Sequence, residues 1–108
     1  MKILLVGGSG FLGAWVARFL HINQCLARIF DPNKPDSEWH RLSGIRADAT
    51  EWVAGDVSKK SELDDAIRDC EGVINLAGLL TPECSQNPVR GAEVNLIGAI
   101  NVFEVALK

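Results

Sequence analysis

Short apolar segments alternate with longer amphipathic ones along this chain. Four of the short segments read as strands, because each is apolar and is followed by glycine or acidic turn residues. The predicted strands are 2–6, 27–30, 51–54 and 73–77. Because strand and helix signals alternate, the pattern favours βαβ units and a parallel sheet.

Predicted helices lie between these strands and after the last one. The first covers about 11–21, where apolar residues recur at helical spacing, and the second covers 37–42 with Asp36 or Ser37 as its cap. Ser58 is predicted to cap the third helix. A loop over 79–87 leads to Pro88, which suits the first position of a last helix running towards Lys108.

The helical segments also predict which faces are apolar. The third helix places Leu63, Ala66, Ile67 and Cys70 on one face. The wide apolar face predicted for the last helix consists of Ala92, Leu96, Ala99, Ile100, Phe103 and Leu107. The residues expected to lie off that face are Val94, Ile97 and Val105.

The order of elements predicts an α/β fold in a single domain over residues 1–108. We expect a four-stranded parallel sheet in the order 3-2-1-4 with helices on both faces, because parallel crossovers are right-handed. A full doubly wound fold has about six strands. The 108 residues have room for about four, so we expect a truncated version of that fold.

A glycine-rich turn directly follows the first strand and precedes the first helix. Gly7, Gly10 and Gly13 are spaced G-x-x-G-x-x-G, and Gly8 adds a G-x-G-x-x-G frame, the fingerprint of Rossmann-type dinucleotide-binding folds. Asp31 ends the second strand about 20 residues later, where an acid accepts hydrogen bonds from adenosine ribose hydroxyls. The alternative is a βα turn that binds nothing, with Asp31 as a solvated turn residue.

Composition narrows the possible partners. The net charge is −3, no basic cluster stands out, and no apolar run approaches a membrane span, so neither nucleic acid nor membrane is expected. Three cysteines (Cys25, Cys70 and Cys84) are odd in number and fit no metal pattern. We read them as reduced thiols of a cytoplasmic protein without a signal peptide or a metal site.

The motifs resemble the N-terminal half of an extended short-chain dehydrogenase/reductase of the NAD-dependent epimerase/dehydratase family. Residues 7–13 match the family's G-x-x-G-F-I/L-G, and Asp31 matches its acid after the second strand. Residues 55–57 match G-D-L/I/V, and residues 75–78 resemble H/N-L-A-A/G. Residues 94–102 resemble V-N-x-x-G-S/T-x-N-V/L, so the resemblance spans essentially the whole chain.

The resemblance implies a site for NAD. Gly7, Gly10, Phe11 and Leu12 would line the pyrophosphate, and Gly13 completes the glycine motif. Asp31 would hold the adenosine ribose, while Asp56 and Val57 would flank the adenine. Leu76, Ala77 and Gly78 would pass beneath the nicotinamide ribose, with Asn95 near the cofactor.

Several of these residues have alternative structural roles. Asp56 is also a favoured helix cap, and Gly78 suits a tight turn. Asn75 and Asn95 are also candidates for structural hydrogen bonds. Gly91 and Gly98 are costly inside a helix, and we read them as sites of close packing.

The chain departs from the family in the residues of catalysis. The family's chemistry needs a Tyr-x-x-x-Lys pair, and this chain has no tyrosine. The sequence is therefore read as the cofactor-binding part of an enzyme, with no catalytic residue of its own. A non-catalytic module that binds or senses NAD(H) is the alternative.

Cofactor and partners follow from the same resemblance. NAD is expected rather than NADP, because Asp31 would repel a 2′-phosphate and Lys34 is the one base close to it. The parent protein would act on a small molecule, most commonly a nucleotide sugar, and would form a homodimer through the last helix. The isolated chain is expected to self-associate through its fourth strand, left as a sheet edge, or through the face bearing Ile97.

Overall fold

A computed structural model describes residues 1–107 of the protein. Its sheet contains β1 (Lys2–Val6), β2 (Leu26–Phe30), β3 (Glu51–Val53) and β4 (Gly72–Asn75). The strands are parallel and lie in the order β3-β2-β1-β4, which confirms the predicted topology and leaves β4 at one edge. The fold is thus an α/β, Rossmann-like one.

Within residues 1–107, six α-helical segments accompany the sheet. They are α1 (Phe11–Ile22), α2 (Ser37–Ser43), α3 (Lys60–Ala66), α4 (Thr81–Gln86), α5 (Pro88–Ala92) and α6 (Gly98–Ala106). A π-helical turn, Glu93–Ile97, joins α5 to α6, and a short 3₁₀ turn, Ala47–Ala49, precedes β3. Lys108, where the last helix was predicted to end, lies outside the described residues.

Alternating strand residues divide the core into two layers. Leu4, Val6 and Phe30 face α3 and α6, while Leu5 and Ile29 face α1 and α2. All five side chains are essentially buried. A central strand buried on both faces reads as a continuous apolar run, which explains the sequence of β1.

The predicted loop over 79–87 and the predicted cap of the third helix were both wrong. Residues 79–87 contain the helix α4, although its proline, asparagine and serine residues favoured a loop. Ser58 does not cap α3, because the helix begins one residue later than expected and Ser58 instead hydrogen-bonds the Asp56 carboxylate. At α2, the structure selects Asp36 as the cap, since its carboxylate accepts a hydrogen bond from the Trp39 N–H at 2.9 Å.

The apolar face predicted for the last helix is not the face that the helix buries. Val94 and Val105, expected to lie off that face, are buried in the core, together with Gly98, Asn101 and Val102. Much of the predicted face is exposed instead, namely Leu96, Ile100, Phe103 and Leu107. Close packing at one point of this buried side requires glycine, because a Cβ on Gly98 would lie 2.6 Å from the Val57 side chain.

The buried and exposed residues of the first helix also differ in size. Its sheet-facing residues are small, apart from Leu20: Gly13, Ala14, Ala17 and Leu20 are buried. Of the apolar residues at helical spacing, Leu12, Trp15 and Phe19 are exposed, whereas Leu20 is buried and Val16 is partly buried. Helical periodicity therefore located α1 correctly but does not identify its buried side.

Candidate functional site

A cleft of about 530 Å³ opens at the carboxyl ends of the strands. Residues after all four strands line it, from the glycine turn after β1 to the turn after β4. The chain leaves β1 for β2 on one side, and β4 pairs with β1 on the other. Ligands of open α/β sheets bind at such a switch point, so the cleft is the candidate functional site.

The glycines of the β1–α1 turn serve different purposes. Gly7 has φ +73°, and a Cβ there would lie 2.6 Å from the Ala77 backbone nitrogen, so glycine is required on both counts. A Cβ on Gly13 would lie 2.1 Å from the Gly8 carbonyl oxygen, which means that Gly13 permits close packing of α1 on the turn. These two glycines are explained by the fold itself.

Gly10 has no such internal explanation. Its backbone is extended, with φ −85° and ψ −174°, a conformation that other residues adopt. Apart from its neighbours along the chain, no residue has a heavy atom within 4 Å of the position that its Cβ would occupy, and Gly10 lines the cleft. The space that a side chain would fill is therefore open to a ligand.

Gly10 also stands at the N-terminus of α1. The first N–H groups of a helix have no intrahelical acceptor, and they attract anions together with the helix dipole. Phe11 and Leu12 are the first residues of α1, so their N–H groups belong to this set. Their side chains are exposed and do not line the cleft.

Asp31 lies just beyond β2 and is largely buried at the cleft wall. Its carboxylate accepts hydrogen bonds from the backbone N–H of Ser9 at 3.2 Å and of Asn33 at 2.9 Å. The indole of Trp52 donates to the Asp31 carbonyl at 3.0 Å. Asp31 is thereby fixed in place and tied to the glycine turn.

The glycine turn has a second anchor that the sequence did not reveal. The indole N–H of Trp39, a buried residue of α2, donates to the Gly8 carbonyl at 2.7 Å. Trp39 also packs in the core layer of Leu5 and Ile29. A rigid support of this kind keeps the turn in one conformation before any ligand arrives.

Asp56 follows β3 and faces the cleft from the opposite side. Its Oδ1 accepts hydrogen bonds from the Ser58 N–H and hydroxyl, and its Oδ2 pairs with Arg90 Nη2 at 2.8 Å. Burial raises the pKa of this carboxyl, but the bonds from Ser58 and the Arg90 charge outweigh it and hold the pKa below its usual value. Asp56 is an ionised acceptor at neutral pH.

Val57 forms an apolar part of the same wall. It is buried between β3 and the last helix, next to Gly98. The side-chain amide of Asn101 donates to the Val57 carbonyl at 3.0 Å and fixes the backbone there. The last helix thus positions a wall of the cleft.

The turn after β4 closes the remaining side of the cleft. Leu76, Ala77 and Gly78 line it, and the Asn75 side chain accepts a hydrogen bond from the Ala77 N–H at 3.0 Å. Asn95 lies behind this turn rather than in the cleft. Its side-chain amide bonds both the N–H and the carbonyl of Leu79, at 2.7 and 3.1 Å.

The structure brings most of the sequence-predicted residues to one cleft. Those that line it are Gly7, Gly10, Asp31, Asp56, Val57, Leu76, Ala77 and Gly78. Those that do not are Phe11, Leu12, Gly13 and Asn95. The charged lining residues that were not predicted as site residues are Lys34, Asp36 and Arg90.

Sequence signals existed for only some of the missed residues. Lys34 and Asp36 lie within a few positions of Asp31, so their proximity to the site could be predicted from the sequence. Arg90 lies 34 residues beyond Asp56, and nothing in its local pattern indicates that the two side chains meet.

Among residues 1–107, no group of His, Cys, Asp and Glu side chains is arranged to hold a metal ion. The same part of the chain contains no helix with the length and apolarity needed to cross a bilayer.

The chain belongs to the NAD dependent epimerase/dehydratase family, whose sequence model matches residues 3–108. It is 32% identical over 117 residues to the bifunctional UDP-glucose 4-epimerase and UDP-xylose 4-epimerase 1 of Pisum sativum, covering 99% of this chain and 33% of that protein. It is 30% identical over 107 residues to an uncharacterised membrane protein of Methanocaldococcus jannaschii, covering 97% and 32% of the two chains.

Solved structures show the same fold. The UDP-glucose 4-epimerase of Thermus thermophilus in complex with NAD is similar with a TM-score of 0.78 at 24% identity, over 97% of this chain and 33% of that one. The chain therefore spans about a third of the length of the relatives that it matches.

Proposed function

We propose that the cleft binds NAD(H), and that residues 1–108 are the N-terminal, cofactor-binding part of a nucleotide-sugar epimerase or dehydratase. The observation that carries this proposal is Gly10. Neither its backbone angles nor its protein neighbours require glycine, yet it borders the cleft at a helix N-terminus. A diphosphate approaching the backbone at that point supplies the missing reason.

The other lining residues fit the same ligand. Asp31 would accept hydrogen bonds from the adenosine ribose, and Asp56 with Val57 would flank the adenine. Leu76, Ala77 and Gly78 would lie beneath the nicotinamide ribose. The acids Asp31 and Asp36 beside the ribose position would disfavour a 2′-phosphate, which supports NAD over NADP.

The nicotinamide, when bound, supplies hydride transfer. The residues of this chain would bind and orient it, and the proton-transfer pair of the family, Tyr-x-x-x-Lys, has no counterpart here because the chain lacks tyrosine. The second candidate is a non-catalytic module that binds or senses NAD(H). For both candidates we expect no turnover of a sugar nucleotide by the 108-residue chain, measured by nicotinamide absorbance.

The test of cofactor binding is calorimetric titration of NAD⁺ into the wild type and into Gly10→Ala. The added methyl group would occupy ligand space, so NAD⁺ affinity should fall at least about tenfold. The free energy of unfolding should change by no more than about 1 kcal/mol, because the methyl group meets no protein atom.

The matched control is Gly13→Ala, in the same turn. Its methyl group collides with the Gly8 carbonyl, so this variant should lose stability where Gly10→Ala does not. Failure of the wild type to bind NAD⁺, or equal affinity in Gly10→Ala, would refute the proposal.

We propose further that the parent protein forms a homodimer through the last helix. Its exposed apolar residues are Leu96, Ile97, Ile100, Phe103 and Leu107. Ile97→Glu should reduce association in sedimentation experiments, and a wild-type monomer at tens of micromolar would argue against this interface. A cytoplasmic location stays a prediction, resting on cysteines that are free among the described residues.

A further inference from the structure

Arg90 lines the cleft beside Asp56 and Val57, and the proposed function leaves its role unassigned. It projects from α5, lines the cleft and reaches three groups. Its Nη2 donates to Asp56 Oδ2 at 2.8 Å, and its Nη1 donates to the Ser58 hydroxyl at 3.2 Å. Glu93 Oε2 lies 3.5 Å from Nη1.

These contacts hold the guanidinium in place but do not use all of its N–H donors. A guanidinium has more N–H donors than these contacts use, and an ionised carboxylate oxygen accepts more than one hydrogen bond. Asp56 Oδ1 is engaged twice by Ser58, whereas Oδ2 accepts a bond from Arg90 and has capacity for another. Nη2 and Oδ2 therefore form a neighbouring donor and acceptor at the cleft wall.

We infer that Asp56 and Arg90 act as one unit that reads adenine, with Arg90 as a specificity-determining residue. Adenine presents an amino donor beside a ring-nitrogen acceptor. Asp56 Oδ2 would accept from the amino group while Arg90 donates to the ring nitrogen. On the edge formed by the amino group and N1, hypoxanthine reverses both groups, because a carbonyl oxygen replaces the amino group and N1 carries hydrogen.

The surroundings of the pair support a binding role over a purely structural one. The Arg90 side chain is 36% exposed, while the side chain of Arg28, an arginine of β2, is 12% exposed. Arg28 bonds two main-chain carbonyls, those of Ala66 and Arg68. Arg90 bonds side chains only, beside the apolar residue Val57, which would contact the face of a base.

This inference rests on the proposed function, and its test uses two dinucleotides that differ only at the base. NAD⁺ and nicotinamide hypoxanthine dinucleotide are titrated calorimetrically into the wild type and Arg90→Met at neutral pH. The wild type should prefer NAD⁺ by about tenfold or more, within the range of paired base contacts. Arg90→Met should reduce that preference by about threefold to fivefold, because one of two discriminating contacts is lost.

Two further variants keep the test sharp. Arg68→Met removes a largely exposed arginine that pairs with Asp65 and does not line the cleft, so its preference should equal that of the wild type. Arg90→Lys retains the charge opposite Asp56 but not the planar fork, so it should fold and still show a reduced preference.

The outcomes separate the two proposals. If the wild type binds NAD⁺ but Arg90→Met and Arg90→Lys keep its full preference, Arg90 is structural and the inference is wrong while the proposed function stands. Equal wild-type affinity for the two dinucleotides has the same meaning. If the wild type binds neither dinucleotide, the proposed function fails and the inference fails with it.

Discussion

Charged side chains gather at both ends of this sheet, and the two clusters differ in what satisfies them. Near the amino ends of the strands, Arg28 donates to Glu51 at 2.6 Å and to the Ala66 and Arg68 carbonyls, also at 2.6 Å. Lys2 pairs with the same Glu51 at 3.2 Å. We call Lys2, Arg28 and Glu51 the amino-end cluster.

At the carboxyl ends, Asp31, Asp56 and Arg90 border the cleft, and we call them the carboxyl-end cluster. Their partners come from turns and from α5, and they face a space that the protein leaves open. Loops diverge at this end of a parallel sheet because the chain turns to opposite sides of β1. The amino-end cluster joins β2 to α3, whereas the carboxyl-end cluster borders a cleft that is open to a ligand.

Among the substitutions that distinguish the two clusters, Arg28→Met should have the largest effect, a loss of stability. The substitution leaves the carbonyls of Ala66 and Arg68 without their cationic donor, and Glu51 keeps only its pair with Lys2. We expect a loss of about 3 kcal/mol in the free energy of unfolding, since hydrogen bonds to charged groups are strong and orphaned acceptors are costly. Chemical denaturation measures it.

Arg28→Met should leave NAD⁺ affinity unchanged under folding conditions, because Arg28 does not line the cleft. Arg68→Met is the control, since its exposed pair with Asp65 contributes less than about 1 kcal/mol. A loss of NAD⁺ affinity in Arg28→Met without a loss of stability would contradict the division of labour between the two ends.

A smaller effect, on cofactor choice, should come from Asp31→Asn. The amide has nearly the same shape but lacks the charge that repels a 2′-phosphate. The preference for NADH over NADPH should narrow by about tenfold, which corresponds to about 1.4 kcal/mol. Calorimetric titration with both cofactors measures this preference.

The control for Asp31→Asn is Asp48→Asn, which alters an exposed acid that does not line the cleft. The preference of this variant for NADH over NADPH should match that of the wild type. If Asp31→Asn keeps the full wild-type preference, or if the wild type shows none, Asp31 does not set cofactor choice.

The fold was predictable because it depends on local and periodic signals. Short apolar runs indicated the strands, and the right-handed crossover rule led to the order 3-2-1-4. Gly7 and Asp31 were predictable for a similar reason, since a glycine turn and an acid at a strand end occupy fixed positions relative to their strands. The carboxyl-end cluster was thus partly visible in the sequence.

The parts that were missed depend on distance and on packing. Arg90 meets Asp56 across 34 positions, and Trp39 meets the Gly8 carbonyl across 31, pairings that no local pattern encodes. The buried side of the last helix was misread because Gly98 and Val94 face the sheet while Phe103 is exposed. Gly98 meets Val57 so closely that a side chain would not fit there, a constraint that apolar periodicity does not encode.

The smallest effect concerns the pH dependence of the carboxyl-end cluster. The folded-state pKa of Asp56 is depressed, with the cost of burial outweighed by the bonds from Ser58 and Arg90. Stabilisation from this carboxylate is therefore present above its unfolded pKa, near 3.8, and is lost as the pH falls through the lower folded value. Asp56→Asn should cost about 1 kcal/mol at pH 7, because the pair is partly screened by solvent. That cost should shrink steadily as the pH falls below about 4.

Urea denaturation of both proteins across this range measures the difference, with Asp65→Asn on the exposed surface as the control. A cost that is the same at pH 7 and at acid pH would show that Asp56 contributes shape rather than charge.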